Sequence, residues 1–285
     1  MTPGWHLRRR KLVSAVMTGA CALAVLVALV PLASILVFIV AKGLSSLDWN
    51  FFTKLPKPTG EAGGGMANAI AGSAKLILLA SLLAVPVGVL AGLYVAEYRG
   101  RRLASAVRFA ADVLNGIPSI VVGIFAYGMV VLPMHRFSAI AGAVALSIMM
   151  VPLIARTTEE MVLLVPEMLR EGGMALGATR TQVAFSLVLP AALPGIVTGV
   201  LVAVARIAGE TAPLLFTSFN NQFWSSRIDQ PTASLTVQIY SYAISPYDDL
   251  HRQAWAGALV LVALIVAVSL LARLFTRRLE RMNGR

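Results

Sequence analysis

Six long apolar runs, separated by charged stretches, constrain this sequence more than any other feature. A membrane-spanning helix needs about 20 mostly apolar residues to cross roughly 30 Å of hydrocarbon. Runs of that kind occupy residues 12–41, 69–96, 113–132, 138–155, 189–216 and 254–271. Because an isolated strand cannot satisfy its backbone hydrogen bonds in lipid, each run is predicted to be a helix. The sequence therefore predicts an all-α membrane protein with six transmembrane helices.

The composition agrees with this prediction and excludes several other classes of protein. Hydrophobic residues make up 58% of the chain and charged residues only 13%, whereas soluble domains carry about 25% charged residues. The net charge of +11 is dispersed among apolar runs, so no nucleic acid is expected as a partner. The single cysteine, Cys21, and three histidines form no metal-ligand spacing, so we expect neither a metal site nor a disulfide framework.

The positions of lysine and arginine predict the orientation. If the N-terminus is inside, 16 of the 24 basic residues lie on the cytoplasmic side and six outside, which leaves Lys75 and Arg206 within spans. Cytoplasmic loops keep an excess of basic residues, so both termini are predicted to be cytoplasmic. Lys75 is expected to extend to the membrane interface. Residues 42–68 and 217–253 then face outward, where they either dock an extracytoplasmic partner or only cap the bundle.

Arg206 and Glu210 are charges within an apolar run. Four residues apart on a helix, they would share one face and could pair. In the functional interpretation, Arg206 offers fixed positive charge and forked donors to an oxyanion, and Glu210 orients it or opens the pair during gating. In the alternative interpretation, the two form a structural ion pair that fixes helix register. Charge and spacing leave both interpretations open.

The cytoplasmic segment 157–188 is long, amphipathic and charged. Pro166 and Glu167 suit the first turn of a surface helix, because proline needs no hydrogen-bond acceptor there and a carboxylate complements the helix dipole. Such a helix would dock another protein or lie on the membrane interface. None of the five lysines follows a glycine, so the chain has no Walker A motif and ATP must be hydrolysed by another polypeptide.

Within this segment, Glu171-Gly172-Gly173, then Gly177, then residues 187–190 (LVLP) resemble the E-A-A-x3-G-x9-I-x-L-P loop of type I ABC importer permeases. Glycines replace both alanines, which should weaken the helix by about 1 kcal/mol each. The resemblance implies the type I importer permease fold and a coupling helix that fits a cleft of a cytosolic ATPase. The coupling residues it implies are Glu171, Gly172, Gly173, Ala175, Leu176 and Gly177.

A closer resemblance is to the PstA-type permeases of phosphate importers, over residues 51–278. The motifs that carry it are residues 63–73 (GGGMANAIAGS), 94–98 (YVAEY), 116–121 (GIPSIV) and 205–217 (ARIAGETAPLLFT). Residues 211–214 (TAPL) favour this family over the sister PstC-type permeases. In the family, an arginine at the inner end of the fourth span and the Arg-x3-Glu of the fifth are associated with phosphate passage. The matching residues here are Arg156, Arg206 and Glu210.

The resemblance also implies domains and partners. We expect a tail, first helix and outer loop over residues 1–65, a permease domain over 66–278 and a basic tail over 279–285. The implied partners are a homologous PstC-type permease, two copies of a PstB-type ATPase that bind the ATP, and an extracytoplasmic PstS-type phosphate-binding protein. No cofactor is expected in this chain, and the localisation implied is the bacterial inner membrane.

The sequence is also compatible with two other transport functions. The chain could be the sister PstC-type permease, or an importer permease for another oxyanion such as phosphonate or sulfate. An intramembrane enzyme is disfavoured, because the sequence has no G-x-S-x-G, no H-E-x-x-H and no paired intramembrane aspartates. We therefore expect a permease subunit that performs no covalent chemistry.

Overall fold

The structure is a computed structural model that describes residues 4–58, 61 and 63–283, and every regular element in these ranges is a helix. Two π-helical turns, Tyr127–Val131 and Ala184–Val188, join α5 to α6 and α9 to α10 without a break in the chain of helical residues. The α-helices are α1 (Gly4–Leu44), α2 (Trp49–Thr53), α3 (Ala67–Glu97), α4 (Arg102–Gly116), α5 (Ser119–Ala126), α6 (Leu132–Met134), α7 (Ala139–Leu163), α8 (Glu167–Ala175), α9 (Arg180–Val183), α10 (Leu189–Ala208), α11 (Ala212–Thr217), α12 (Leu235–Ala243) and α13 (Asp248–Asn283).

The helices confirm the predicted all-α membrane architecture. The described part of the chain contains up to six candidate membrane spans. One of them is a pair of helical segments, Arg102–Gly116 and Ser119–Met134, that are bent relative to each other and together count as one span. The other five are single helical segments long and apolar enough to cross a membrane, namely Trp5–Leu44, Ala67–Glu97, Ala139–Leu163, Arg180–Ala208 and Asp248–Leu271. The side on which each terminus lies stays a prediction.

The prediction of one continuous helix over residues 113–132 is wrong. The chain bends by 107° between α4 and α5, and residues 113–116 belong to α4. Pro118 explains the bend, because the residue before a proline is driven out of the helical region, and Ile117 is extended with φ −75° and ψ 132°. α4 is amphipathic rather than uniformly apolar, since Ala104 and Ala111 are buried while its other faces are largely exposed.

The fifth predicted run also differs from the structure. The helix that begins at Arg180 ends at Ala208, and α11 starts only after Gly209, Glu210 and Thr211. Pro213 lies in the first turn of α11, where its missing N–H costs nothing, but it could not continue the preceding helix. The predicted cytoplasmic segment 157–188 is likewise shorter, because α7 continues to Leu163 and the next spanning segment starts at Arg180.

α7 is the centre of the bundle and packs closely on both α3 and α10. A Cβ added to Gly92 of α3 would overlap the carbonyl oxygen of Ala155, and one on Gly199 of α10 would lie 2.5 Å from Thr157 Oγ1. Glycine at these positions lets the helix backbones approach. The core between these helices includes the buried side chains of Leu146, Met150, Ile154, Leu76 and Ile207.

α1 stands apart from this core. Its apolar side chains are exposed over almost the whole helix, and it packs on α13, where Gly43 approaches Trp255 and Leu259. A helix that is apolar on all sides and exposed in the isolated chain needs lipid or another membrane subunit around it.

The second segment that was predicted to face outward, residues 217–253, folds back onto the bundle. The carbonyl oxygens of Thr217, Gln230 and Ile228 accept hydrogen bonds from the N–H groups of Ser138, Ala139 and Ile140 at 3.1 Å, so this segment caps the N-terminus of α7. Within it, α12 is largely buried. The segment 217–243 is therefore part of the packed structure rather than a free loop.

Candidate functional site

Arg206 and Glu210 lie on either side of a helix end. Arg206 is in the last turn of α10 and is exposed, whereas Glu210 is half-buried in the break before α11. The break is fixed by backbone contacts, because the N–H of Gly209 donates to Arg206 O at 3.2 Å and the hydroxyl of Thr236 donates to Glu210 O at 2.9 Å. Among the described residues, no ion pair joins Arg206 to Glu210. The structural ion pair that the spacing allowed is therefore not formed.

This placement leaves the guanidinium of Arg206 available. Within the described ranges, no carboxylate lies within 4.0 Å of it. A cation at the C-terminal end of α10 is also favoured by the helix dipole, whose negative end lies there. Arg206 can therefore offer its forked donors to an anion without first breaking a contact.

Arg156 is placed differently, in a cluster of charges between α4 and α7. Its Nη1 donates to Glu159 Oε2 at 2.9 Å, and its Nε lies 3.7 Å from Asp112 Oδ1. Glu159 also accepts two hydrogen bonds from Arg108, at 2.9 Å from Nε and 2.5 Å from Nη2. The side chain of Glu159 is only 7% exposed. Two arginines thus share one buried carboxylate.

Sequence reasoning missed Arg108 and Glu159. They are 51 residues apart, and no helical periodicity relates them. The contact between Arg156 and Glu159 has a signal in the sequence, because residues three apart on a helix lie on the same face. Arg108, the second partner of Glu159, is not predictable in that way, because it lies on α4, a separate helix distant in the sequence.

The predicted pathway residues do not form one cluster. α7 and α10 run antiparallel, with Gly195 against Met161 and Gly199 against Thr157. Arg156 is next to this crossing, whereas Arg206 is seven residues beyond Gly199, or about 10 Å along the helix axis at 1.5 Å per residue. The structure therefore places the two arginines on neighbouring helices at different depths.

The predicted coupling residues do lie together, on α8 and the turn that follows it. Glu171, Gly172, Ala175 and Leu176 are exposed. Gly173 is buried, and a Cβ there would lie 2.7 Å from Leu187 Cδ1 and 2.9 Å from Val183 Cγ2. Glycine at this position therefore permits close packing of α8 on the start of the next spanning segment.

Two features define the turn between α8 and α9. Gly177 has φ +87°, a left-handed conformation that glycine adopts without strain and that commonly terminates helices. Thr179 and Gln182 then form a capping box at the start of α9. Four apolar side chains of α8 and the residue after it are exposed, namely Met168, Leu169, Met174 and Leu176.

Lys75 and Asp229 hold the segment after α11 in place. Lys75, in the N-terminal half of α3, donates to the carbonyl oxygens of Ser225 and Arg227. Arg227 donates to both carboxylate oxygens of Asp229, at 2.9 and 2.8 Å, and this lowers the pKa of that carboxyl below its ordinary value. Arg136, just before α7, lies 3.2 Å from the same carboxylate. In the described ranges, no group of three His, Cys, Asp or Glu could hold a metal ion.

The fold defines a class of protein. The structure matches a bacterial ABC transporter involved in the import of alginate with a TM-score of 0.65 and 14% identity, covering 96% of this chain and 97% of the other. It matches the MetNI methionine ABC transporter, in an inward-facing conformation, with a TM-score of 0.59 and 22% identity, covering 75% and 94%. The architecture is therefore that of type I ABC importer permeases.

The sequence comparisons narrow this class. Residues 84–281 match the family described as the binding-protein-dependent transport system inner membrane component, and the chain belongs to that family. It is 48% identical to the phosphate transport system permease protein PstA of Yersinia pestis, covering 82% of this chain and 80% of that protein. It is 43% identical to PstA of Haemophilus influenzae, covering 93% and 94%, and 38% identical to a probable PstA of Methanocaldococcus jannaschii, covering 85% and 86%.

Family membership has three direct consequences. The chain is a multi-pass inner-membrane protein. It is a permease component of an ABC importer, so ATP hydrolysis belongs to a separate subunit. It works with an ATPase and a substrate-binding partner.

Proposed function

We propose that this chain is the membrane-spanning permease subunit of an ATP-driven phosphate import system and translocates inorganic phosphate across the inner membrane. The observation that carries the proposal is the 43–48% identity to permeases named for phosphate transport, over most of both chains. The unpaired arginine at the end of α10 supports it, because a guanidinium suits a tetrahedral oxyanion.

The proposed assembly contains several other subunits. A homologous PstC-type permease pairs with this chain to enclose the phosphate path, and a PstS-type binding protein delivers phosphate from outside. Two copies of a PstB-type ATPase bind and hydrolyse ATP, so this chain itself needs no cofactor. In this orientation both termini and α8 are cytoplasmic. The permease domain extends over residues 66–278, with residues 1–65 before it and the basic tail 279–285 after it.

Three side chains form the proposed substrate pathway. Arg206 binds phosphate electrostatically, and Glu210, four residues away across the helix break, orients the guanidinium of Arg206 during gating. Arg156 lies nearer to α8, where it donates to the carboxylate of Glu159 that it shares with Arg108. Phosphate that reaches Arg156 therefore exchanges with this carboxylate, which keeps the anion weakly held and allows its release.

The proposed coupling site is α8 with the turn after it. Glu171, Gly172, Gly173, Ala175, Leu176 and Gly177 form the contact with the ATPase. The exposed apolar side chains of α8 provide the surface that enters its cleft. ATP binding and hydrolysis then shift the permease pair between outward-open and inward-open states, by as much as each bound species favours one state.

Uptake of radiolabelled phosphate at low micromolar concentration tests the proposal. We expect cells that lack this chain to recover uptake when supplied with the intact chain, and not when supplied with the Arg206→Ala variant. The Arg252→Ala variant is the control, because Arg252 pairs with Asp249 at the start of α13, outside the proposed pathway.

Competing anions test the substrate. Inhibition by unlabelled phosphate alone supports the proposal. Equal inhibition by sulfate or phosphonate would assign the importer to another oxyanion, and uptake that does not depend on the chain would contradict phosphate transport.

A further inference from the structure

We propose that Arg170 is a positioning residue that ties α8 to the cytoplasmic ends of α3 and α7, and so carries ATPase-driven movement of α8 into the membrane-spanning helices. The proposal rests on the proposed function of α8 as the coupling helix. The proposal adds Arg170, which is outside the coupling motif, and identifies the contacts that transmit movement of α8 to α3 and α7.

One guanidinium makes both contacts. Nη1 of Arg170 donates to Glu97 Oε1 at 2.8 Å, and Nη2 donates to the carbonyl oxygen of Val162 at 2.8 Å. The side chains of Arg170 and Glu97 are only 12% and 17% exposed, so solvent screens this ion pair less than a surface pair. A single side chain of α8 is thus bonded to two other helices.

The partners of Arg170 are helix ends. Glu97 is the last residue of α3, and Val162 lies in the last turn of α7. The last carbonyl groups of a helix lack intrahelical donors and form the negative end of its dipole. The Val162 carbonyl oxygen also accepts a hydrogen bond from the N–H of Val165 at 3.3 Å, so Arg170 adds a second donor there. An arginine where two such ends meet complements both dipoles, so its position is specified by both helices.

The rest of α8 is attached in a different way. It packs on residues 180–188 through Gly173, against the apolar side chains of Val183 and Leu187. Such contacts contain no directional hydrogen bonds. In the described part of the chain, Arg170 makes the only hydrogen bonds or ion pair between α8 and either α3 or α7.

A cavity separates α8 from the turn between α3 and α4. Its volume is about 410 Å³, and Tyr98, Arg99, Arg101 and Arg180 contribute to its lining together with the Glu97–Arg170 pair. Because this space is not filled by packed side chains, compression of the cavity would absorb a movement of α8. The Glu97–Arg170 pair lies at the edge of the cavity and transmits the movement instead.

The assembled complex in lipid vesicles provides the test, with phosphate uptake and ATP hydrolysis measured on the same preparation. We expect Glu97→Gln and Arg170→Gln to lower the ratio of phosphate imported to ATP hydrolysed by about tenfold, the effect of losing a hydrogen-bonded charge pair. Hydrolysis itself should continue, because the face of α8 that meets the ATPase is intact. Glu160→Gln is the matched control and should keep the parent ratio, because Glu160 lies two residues before Val162 on α7, is exposed and forms no ion pair within the described ranges.

A charge-swapped variant, Glu97→Arg with Arg170→Glu, separates coupling from folding. We expect it to recover at least part of the ratio lost in the single variants. An unchanged ratio in both single variants would overturn the proposal, and so would joint loss of hydrolysis and of bound ATPase, because the pair would then only hold the complex together. Failure of the proposed function gives a different result, since the parent complex itself would then hydrolyse ATP without importing phosphate.

Discussion

The arginines of this chain differ in what surrounds them. Arg156 and Arg108 share the buried carboxylate of Glu159, whereas Arg206 has no carboxylate within 4.0 Å among the described residues. A buried charge left without its partner is costly, so Glu159 stabilises the contact between α4 and α7. At the scale of single residues, Arg108 and Arg156 are therefore held by a carboxylate, whereas the guanidinium of Arg206 is available to an anion.

Replacing Glu159 tests this difference. Glu159→Gln removes the carboxylate that Arg108 and Arg156 share, and we expect it to lower the stability of the folded chain by about 1–3 kcal/mol. Thermal unfolding of the purified complex measures the change. Glu160→Gln is the control, since Glu160 is exposed and next in sequence, and it should leave the transition unchanged. Equal shifts for both variants would contradict the role given to Glu159.

Single residues were predicted with mixed success. Arg206 and Glu210 stand out in the sequence because charges are rare in apolar runs. Their mutual geometry was not predictable from spacing, since α10 ends between them. The role of Glu159 was not predictable from the sequence, because its partner Arg108 lies on another helix, 51 residues away.

At the scale of helices, close packing depends on glycine in a way that differs between contacts. A Cβ on Gly92 would overlap the carbonyl oxygen of Ala155, a backbone atom that cannot turn away. A Cβ on Gly195 would meet the side chain of Met161, whose three rotatable bonds let it move aside.

These two glycines make a matched pair for mutation. We expect Gly92→Ala to destabilise the chain by about 1–3 kcal/mol, because α3 and α7 must separate. Gly195→Ala should cost clearly less. Thermal unfolding of the two purified variants compares their losses of stability. A larger loss for Gly195→Ala would contradict this expectation, because it would mean that separating α3 and α7 costs less than moving the side chain of Met161.

The spans themselves were predictable from hydropathy, but their breaks were not. Residues 113–132 satisfy the length and polarity of a span, yet Ile117 and Pro118 divide them between α4 and α5. The glycines that replace alanine in the coupling motif were expected to weaken α8. The structure gives Gly173 a packing role against Val183 and Leu187 that required knowledge of the tertiary contact.

At the scale of the whole molecule, the distribution of basic residues predicts both termini on the cytoplasmic side. In a Cys21→Ser background, we expect Ser226→Cys to react with a membrane-impermeant maleimide in intact spheroplasts. Leu7→Cys and Ala175→Cys should react only after permeabilisation, because they lie on the opposite side of the membrane. Labelling of Leu7→Cys in intact spheroplasts would reverse the orientation.

Phosphate transport by the complete complex tests the central claim most directly. The measurement is ATP-dependent transport of radiolabelled phosphate by the purified permease pair, ATPase and binding protein in lipid vesicles, with the intact chain or Arg206→Ala. The account predicts transport that requires ATP, is lost in Arg206→Ala and is not matched by labelled sulfate. Equal transport of sulfate, or full transport by an assembled Arg206→Ala complex, would contradict it.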